Sequence, residues 1–155
     1  MTHYSAETLE EVTHEELAER YEHYLDEVLH PDGVSIDGVE LIPSEVLKEA
    51  DPNGYEEGVH NYINLLYDSE ELTSEWDRAE RIKELLVDWA FMELASLVDH
   101  TTTEQDKTVN AELYKLYEQG VLTLDNGEIE LSDQHTMLDV ISALVIALNE
   151  NKTNE

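Results

Sequence analysis

Thirty-eight carboxylates and seven histidines, without a single cysteine, are the groups with which this chain of 155 residues would have to do chemistry. Three pairs, Glu11-x-x-His14, Glu27-x-x-His30 and Glu57-x-x-His60, have the spacing that puts a carboxylate and an imidazole on one helix face, as in di-iron helical bundles. Such a centre also needs inward-facing Glu from partner helices, with every ligand at the same depth. Glu11 and His14 fall near the start of the first helical stretch, Glu27 and His30 at its end. A chain this rich in Glu also produces the spacing by chance. There is no His-Glu-x-x-His zinc motif and no acidic calcium loop. The expectation is therefore no metal and no cofactor.

Glu93 is the one acid set between apolar positions, Leu86, Trp89 and Leu97 on a helical wheel. A carboxylate there is expected to be at least partly buried, and so paired, hydrogen-bonded or protonated. As a general acid it would need a raised pKa and a second catalytic group. The simpler expectation is a structural bond to a Tyr, His or Arg. With no thiol, no Gly-x-Ser-x-Gly and no Gly-rich phosphate loop, the sequence reads as non-enzymatic.

The acids matter more as a population. Against eight Lys and Arg they give a formal net charge of −30. They are densest in the first half of the chain, not in a detachable tail. Such a field repels nucleic acid and anionic membranes and attracts basic surfaces. Direct binding to DNA, RNA or a membrane is not expected; a basic protein partner is. The DNA duplex carries one charge per roughly 1.7 Å of axis, or one per roughly 3.4 Å along each strand. A helix with an acid every three to four residues spaces its charges about 5 to 6 Å apart. The acids expected to form such a lattice are Glu7, Glu11, Glu15, Glu19, Glu22 and Asp26, continued by Asp68, Glu70, Glu71, Glu75, Asp77 and Glu80.

The elements that position them follow from periodicity and punctuation. Leu17, Tyr21, Tyr24, Leu25 and Val28 recur at helical spacing, and the reading is one helix over 6–30, capped by Ser5. Pro31-Asp32-Gly33 ends it. Asp37-Gly38 marks a hairpin at about 34–42, and Asp125-Asn126-Gly127 a second at 121–131. Pro43 opens a helix through Ala50, and Asp51-Pro52 another. Residues 82–98 are apolar over most of the wheel, so a central helix over about 76–98, capped by Thr73 or Ser74, is expected to be wrapped on several sides. Residues 100–108 read as a polar loop, 111–119 as a short helix stopped by Gly120, and 137–148 as a final apolar helix capped by Ser132 or Asp133. The fold class is mainly α: a single domain over 1–155, with 150–155 a frayed tail. The final helix has more apolar residues than one face can bury. It either packs between elements or pairs with a second copy, and a homodimer is favoured. The segments SIDGVELIPSEVL and TLDNGEIELSDQH echo one another, and are read as two ordinary hairpin-to-helix units. The N-terminus shows no basic-then-apolar leader, so a cytoplasmic protein is expected.

Two resemblances bear on function. The stretch ELYKLYEQGVLTLDNGEIELS is similar to the recognition helix and wing of a winged-helix domain. Its acids, with Lys115 the exception, imply likeness of shape only. In size, acidity, helix content and interspersed Trp76, Trp89 and tyrosines, the chain resembles the small phage-encoded anti-restriction DNA mimics, the Ocr-like proteins. That resemblance implies an acidic inhibitor that fills the DNA-binding cleft of a host defence nuclease. The alternative is a salt-adapted or winged-helix-like interaction module with a basic partner. Glu outnumbering Asp, with sparse Ala and Gly, argues against salt adaptation.

Overall fold

The computed structural model describes residues 1–94 and 102–153. The protein is mainly helical with short antiparallel strand pairs. Its chain forms two compact units, Met1–Ala6 with Glu10–Glu75, and Glu7–Leu9 with Trp76–Glu155. In place of the expected single core around one helix, each unit has its own.

The first unit begins with a sheet that periodicity does not reveal. Strand β1 (His3–Ser5) lies between β2 (Glu11–Val12) and β5 (Leu72–Thr73), antiparallel to both, with Tyr4 opposite Glu11 on one side and Thr73 on the other. The expected helix over 6–30 is therefore shorter. Helix α1 (His14–His23) starts at Thr13, whose side chain accepts from the Glu16 N–H while the Glu16 carboxylate accepts from the Thr13 N–H. This reciprocal capping box fixes the start of the helix. Ser5 is a strand residue, and Glu7 and Glu11 are not on a helix. Tyr24–Leu29 then widens into a π-helix. The hairpin of β3 (Val34–Ile36) and β4 (Val39–Leu41) turns through Asp37 and Gly38, both at positive φ (52° and 79°), as a two-residue primed turn requires. Helices α2 (Pro43–Ala50) and α3 (Pro52–Asp68) start at their prolines as expected. Leu17, Tyr21 and Leu25 meet Tyr55, Val59, Ile63 and Leu66 in the core.

The second unit holds α4 (Glu75–Leu94) from Trp76 onward, α5 (Thr103–Glu118), the hairpin of β6 (Leu122–Asp125) and β7 (Glu128–Leu131), and α6 (Met137–Thr153). Helix α4 is not wrapped all round. Ile82, Leu86, Trp89, Ala90 and Leu94 are buried, whereas Phe91 and Met92 are each 75% exposed and Trp76 72%. The end of the expected helix, 95–98, lies outside the described residues. Within the expected loop, residues from Thr103 on are helical, because Thr102 and Gln105 form a second capping box and Val109 is core. Helix α6 is preceded by Thr136, whose N–H and hydroxyl both donate to Asp139, so neither Ser132 nor Asp133 starts it. It runs through Thr153 in place of a tail frayed from 150, because Leu148 is buried and Asn151 donates to the Thr108 hydroxyl. Of its apolar residues, Val140, Leu144 and Leu148 are buried, and Leu138, Val145 and Ile146 are exposed. Leu9 also belongs to this core, and Arg78 Nε donates to its carbonyl at 2.6 Å.

The two units share a helix exit of which the sequence shows only the Gly120 stop. Helix α3 leaves through Leu66-Tyr67-Asp68-Ser69-Glu70-Glu71-Leu72-Thr73, and α5 through Leu116-Tyr117-Glu118-Gln119-Gly120-Val121-Leu122-Thr123. In both, the fifth residue takes positive φ (Glu70 59°, Gly120 78°) and the sixth N–H donates back to the first carbonyl, at 2.9 and 3.0 Å. This is a Schellman exit, and it delivers a buried Leu72 or Leu122 to the following strand.

Candidate partner-binding surface

The twelve lattice acids fall into three environments. Glu7, Glu11, Glu15, Glu19, Asp68, Glu70 and Glu75 are exposed, and among the described residues their side chains make no hydrogen bond or ion pair. Glu71, Asp77 and Glu80 are exposed but engaged: Glu71 accepts from the Ser69 hydroxyl at 3.2 Å, Glu80 pairs with Lys83 at 3.0 Å, and Asp77 has a partner of its own. Glu22 and Asp26 are half-buried and bind the fold together. The set does not form one stripe along one helix. Glu7, Asp77 and Glu80 belong to the second unit and the rest to the first.

Glu22 illustrates how position changes what a carboxylate does. The Tyr55 hydroxyl donates to its Oε1 at 2.6 Å, and the Lys48 ammonium pairs with the same oxygen. Lys48 also stands 5.1 Å above the Tyr55 ring. Three helices are thus joined at one carboxylate. Burial pushes the Glu22 carboxyl up, but the hydrogen bonds from Lys48 and Tyr55 and the Lys48 charge outweigh it and hold it below the ordinary carboxylate range. The Tyr55 hydroxyl is pushed far above the ordinary tyrosine range, first by burial and then by the bond to Glu22. Asp26 serves α2. Its carboxylate accepts from the Ser44 N–H at 2.8 Å and the Ser44 hydroxyl at 2.7 Å. Ile42 at the helix start offers no side-chain cap, so Asp26 supplies one from the π-helix.

Lys48, Tyr55 and Ser44 are the residues sequence reasoning missed. A signal for Lys48 was available: between Arg20 and Arg78 it is the only Lys or Arg in the sequence. A lone cation in so acidic a stretch has many possible partners and a strong reason to find one.

The Glu-x-x-His pairs do not act as units. Glu11 sits in a strand, His14 faces Glu56 at 3.7 Å, and His23 faces Glu27 at 3.4 Å, all exposed. Among the described residues no three His, Asp or Glu side chains are placed to hold a metal. Glu93 is exposed, contrary to expectation. The buried arc of α4 is narrower than its apolar composition implies, and Glu93 lies outside it. Among the described residues no helix is long and apolar enough to cross a membrane.

The first unit concentrates the charge. It holds twenty acidic residues and two cationic ones, Arg20 and Lys48, whereas the second holds eighteen and six. Set against protein-family models, curated proteins and solved structures, the chain matches none of them.

Proposed function

We propose that this chain is a non-enzymatic DNA mimic of the phage anti-restriction and anti-defence type. In the host cytoplasm it occupies the nucleic-acid-binding cleft of a basic protein, a restriction or other defence nuclease, and inhibits it. The observation that carries this reading is the charge of the first unit, where twenty acids face two cations and Glu22 draws off Lys48. The remaining carboxylates have little to neutralise them. Glu15 and Glu19 stand one helical turn apart, about 6 Å along the axis, a spacing that Lys and Arg side chains lining a DNA cleft can meet. Affinity of this kind sums many ion contacts, so it falls steeply with salt.

The test uses a variant in which Glu11, Glu15, Glu19 and Glu70 are each replaced by Gln. All four are exposed, without side-chain partners among the described residues, and lie in the first unit. The wild type should capture a target from a bacterial lysate, release it as salt rises, and lose it to duplex DNA. The fourfold variant should fold and inhibit far less, while any single substitution does little. A folded fourfold variant that inhibits at full strength, or a target that duplex DNA does not displace, overturns the reading. Salt adaptation predicts instead that the circular dichroism signal is lost in about 0.15 M salt, where the Debye length is about 8 Å, and returns only near molar salt.

A further inference from the structure

Within the second unit, α4 and α5 enclose a groove of about 610 Å³ that shares only Glu80 with the acid lattice. Its floor is apolar, formed by Leu86, Val87, Ala111 and Tyr114. Val87 is 42% exposed, and one turn further along α4 Phe91, the only phenylalanine of the chain, is 75% exposed. Beside this apolar row runs an acidic one, Glu80, Glu84 and Asp88 at one-turn intervals, all lining the groove. The cations nearby are already engaged. Lys83 pairs with Glu80 at 3.0 Å and lies 5.6 Å over the Tyr114 ring, and Arg81 pairs with Glu84 at 3.0 Å. Both are exposed pairs three residues apart, which hold weakly and yield to a better cation.

We propose that this groove docks a basic amphipathic helix of a partner protein. Two parallel rows, one apolar and one acidic, fit a helix that presents apolar anchors at i and i+4 and Lys or Arg along one flank. The apolar row provides desolvated contacts, and the carboxylates provide register and sign selectivity. The net charge of −30 attracts such a segment and repels an acidic one. The proposal does not rest on the mimic reading. It lies in the other unit from the acids tested above, Glu11, Glu15, Glu19 and Glu70, and uses an apolar row that a DNA duplex does not fill.

The test measures binding of a synthetic Leu/Lys amphipathic helical peptide by fluorescence anisotropy. Salt is held near 0.5 M, where screening over a few Å suppresses non-specific attraction. Val87→Asn combined with Phe91→Ser should weaken binding about tenfold or more, since anchor contacts at the centre of an interface dominate its energy. Glu84→Gln with Asp88→Asn should weaken it less, and the fourfold Gln variant of the first unit not at all. In the unmutated protein the Ala111 and Tyr114 amides should shift on peptide addition, a readout independent of how any variant folds. Duplex DNA should not displace the peptide, which separates this site from the mimic surface. The proposal is overturned if those amides do not move, if the Val87/Phe91 variant binds as the wild type does, or if a peptide with Gln in place of Lys binds equally well. It is also overturned if sedimentation shows a wild-type dimer that this variant abolishes, because a second copy would then be the occupant.

Discussion

Glu22→Gln removes one of thirty-eight acids from an overcharged chain, and on charge alone it should stabilise the protein. The structure predicts the reverse. Glu22 is 27% exposed at its side chain and accepts from Tyr55 and from Lys48, itself 45% exposed. Gln keeps an acceptor for Tyr55 but makes the bond neutral, a loss of about 1 kcal/mol between charged and neutral hydrogen bonds. The ion pair is partly solvated, so it adds at most about 1 kcal/mol. Relief of repulsion returns a few tenths of a kcal/mol. The net expectation is a destabilisation of about 1 to 2 kcal/mol. Glu22→Ala also leaves the buried Tyr55 hydroxyl without its acceptor, and should cost about 2 to 4 kcal/mol in all. Glu19→Gln, three residues away but exposed, should lie within about 0.5 kcal/mol of wild type.

The assay is urea unfolding in about 0.15 M salt, the ionic strength at which the field is screened beyond about 8 Å. Both tryptophans lie in the second unit, and five tyrosines, including Tyr55, enter or flank the first core. Near-ultraviolet tyrosine dichroism should therefore carry the shift. The pH dependence has a definite sign. Because the folded Glu22 carboxyl is held below its ordinary 4.5, its contribution is complete above that pH and is lost as pH falls through the lower folded value. The difference between wild type and Glu22→Gln should be constant from about pH 7 to 5 and shrink as pH falls below the ordinary 4.5. A Glu22→Gln protein as stable as Glu19→Gln, or a difference that vanishes by pH 5, would refute the reasoning. Repulsion would then outweigh the bonds at this site.

Other changes probe other parts of the structure. Asp26→Ala leaves Ser44, which is only 3% exposed, without its charged acceptor, and should cost about 1 to 3 kcal/mol in the tyrosine-detected transition. Gly127→Ala puts a methyl 2.5 Å from the Glu7 carbonyl at a φ of +81°, so tryptophan-detected unfolding should show a loss of about 1 to 3 kcal/mol. Glu70→Gly relieves a left-handed Glu at the α3 exit and should stabilise the first unit by about 1 kcal/mol, a gain read in the same tyrosine signal. Self-association through Leu138, Val145 and Ile146 would bring together two chains of −30 each. Sedimentation velocity should show it strengthening with salt, opposite to target binding, and Ile146→Ser should remove it.

Punctuation was legible in the sequence, and long-range pairing was not. Asp37-Gly38, Asn126-Gly127, Pro43 and Pro52 each dictate a local conformation that few other residues can adopt, and the structure has a turn or helix start at each. The three-stranded sheet is built from strands of two or three residues, too short for any period, and it pairs Ser5 with Leu72. Residues 6–12 look helical because Leu9 and Val12 extend the apolar spacing of α1. The competing signal, Thr13-x-x-Glu16, is a helix start that the longer reading overran. In the site, Glu22 on α1 and Asp26 on the π-helix after it resemble the other acids of this helical stretch. Their distinction lies in Ser44, Lys48 and Tyr55, which are 18 to 33 residues distant in sequence. Glu93 differs from expectation for the opposite reason. The apolar richness of α4 implies burial on every side, whereas Phe91 and Met92 remain in solvent.

The few cations are arranged so that the fold and the field separate. Arg81, Lys83 and Lys107 each pair with a carboxylate three residues away on the same helix, and Lys48 is held at Glu22. A pair this close cancels at long range and acts only locally, within one helix for the first three and between two helices for Lys48. None of these cations is placed to bridge the exposed acids Glu11, Glu15, Glu19, Asp68 and Glu70. The helices that carry acid are held by two apolar cores, capping boxes at Thr13 and Thr102, Schellman exits after Leu66 and Leu116, and the bonds of Glu22 and Asp26. A sequence selected for stability alone would have placed Lys one turn from these glutamates, because each mixed pair supports a helix and each like pair weakens it. The chain forgoes such pairs at Glu11, Glu15, Glu19, Asp68 and Glu70 while keeping them on α4 and α5, as the proposed outward-directed charge requires.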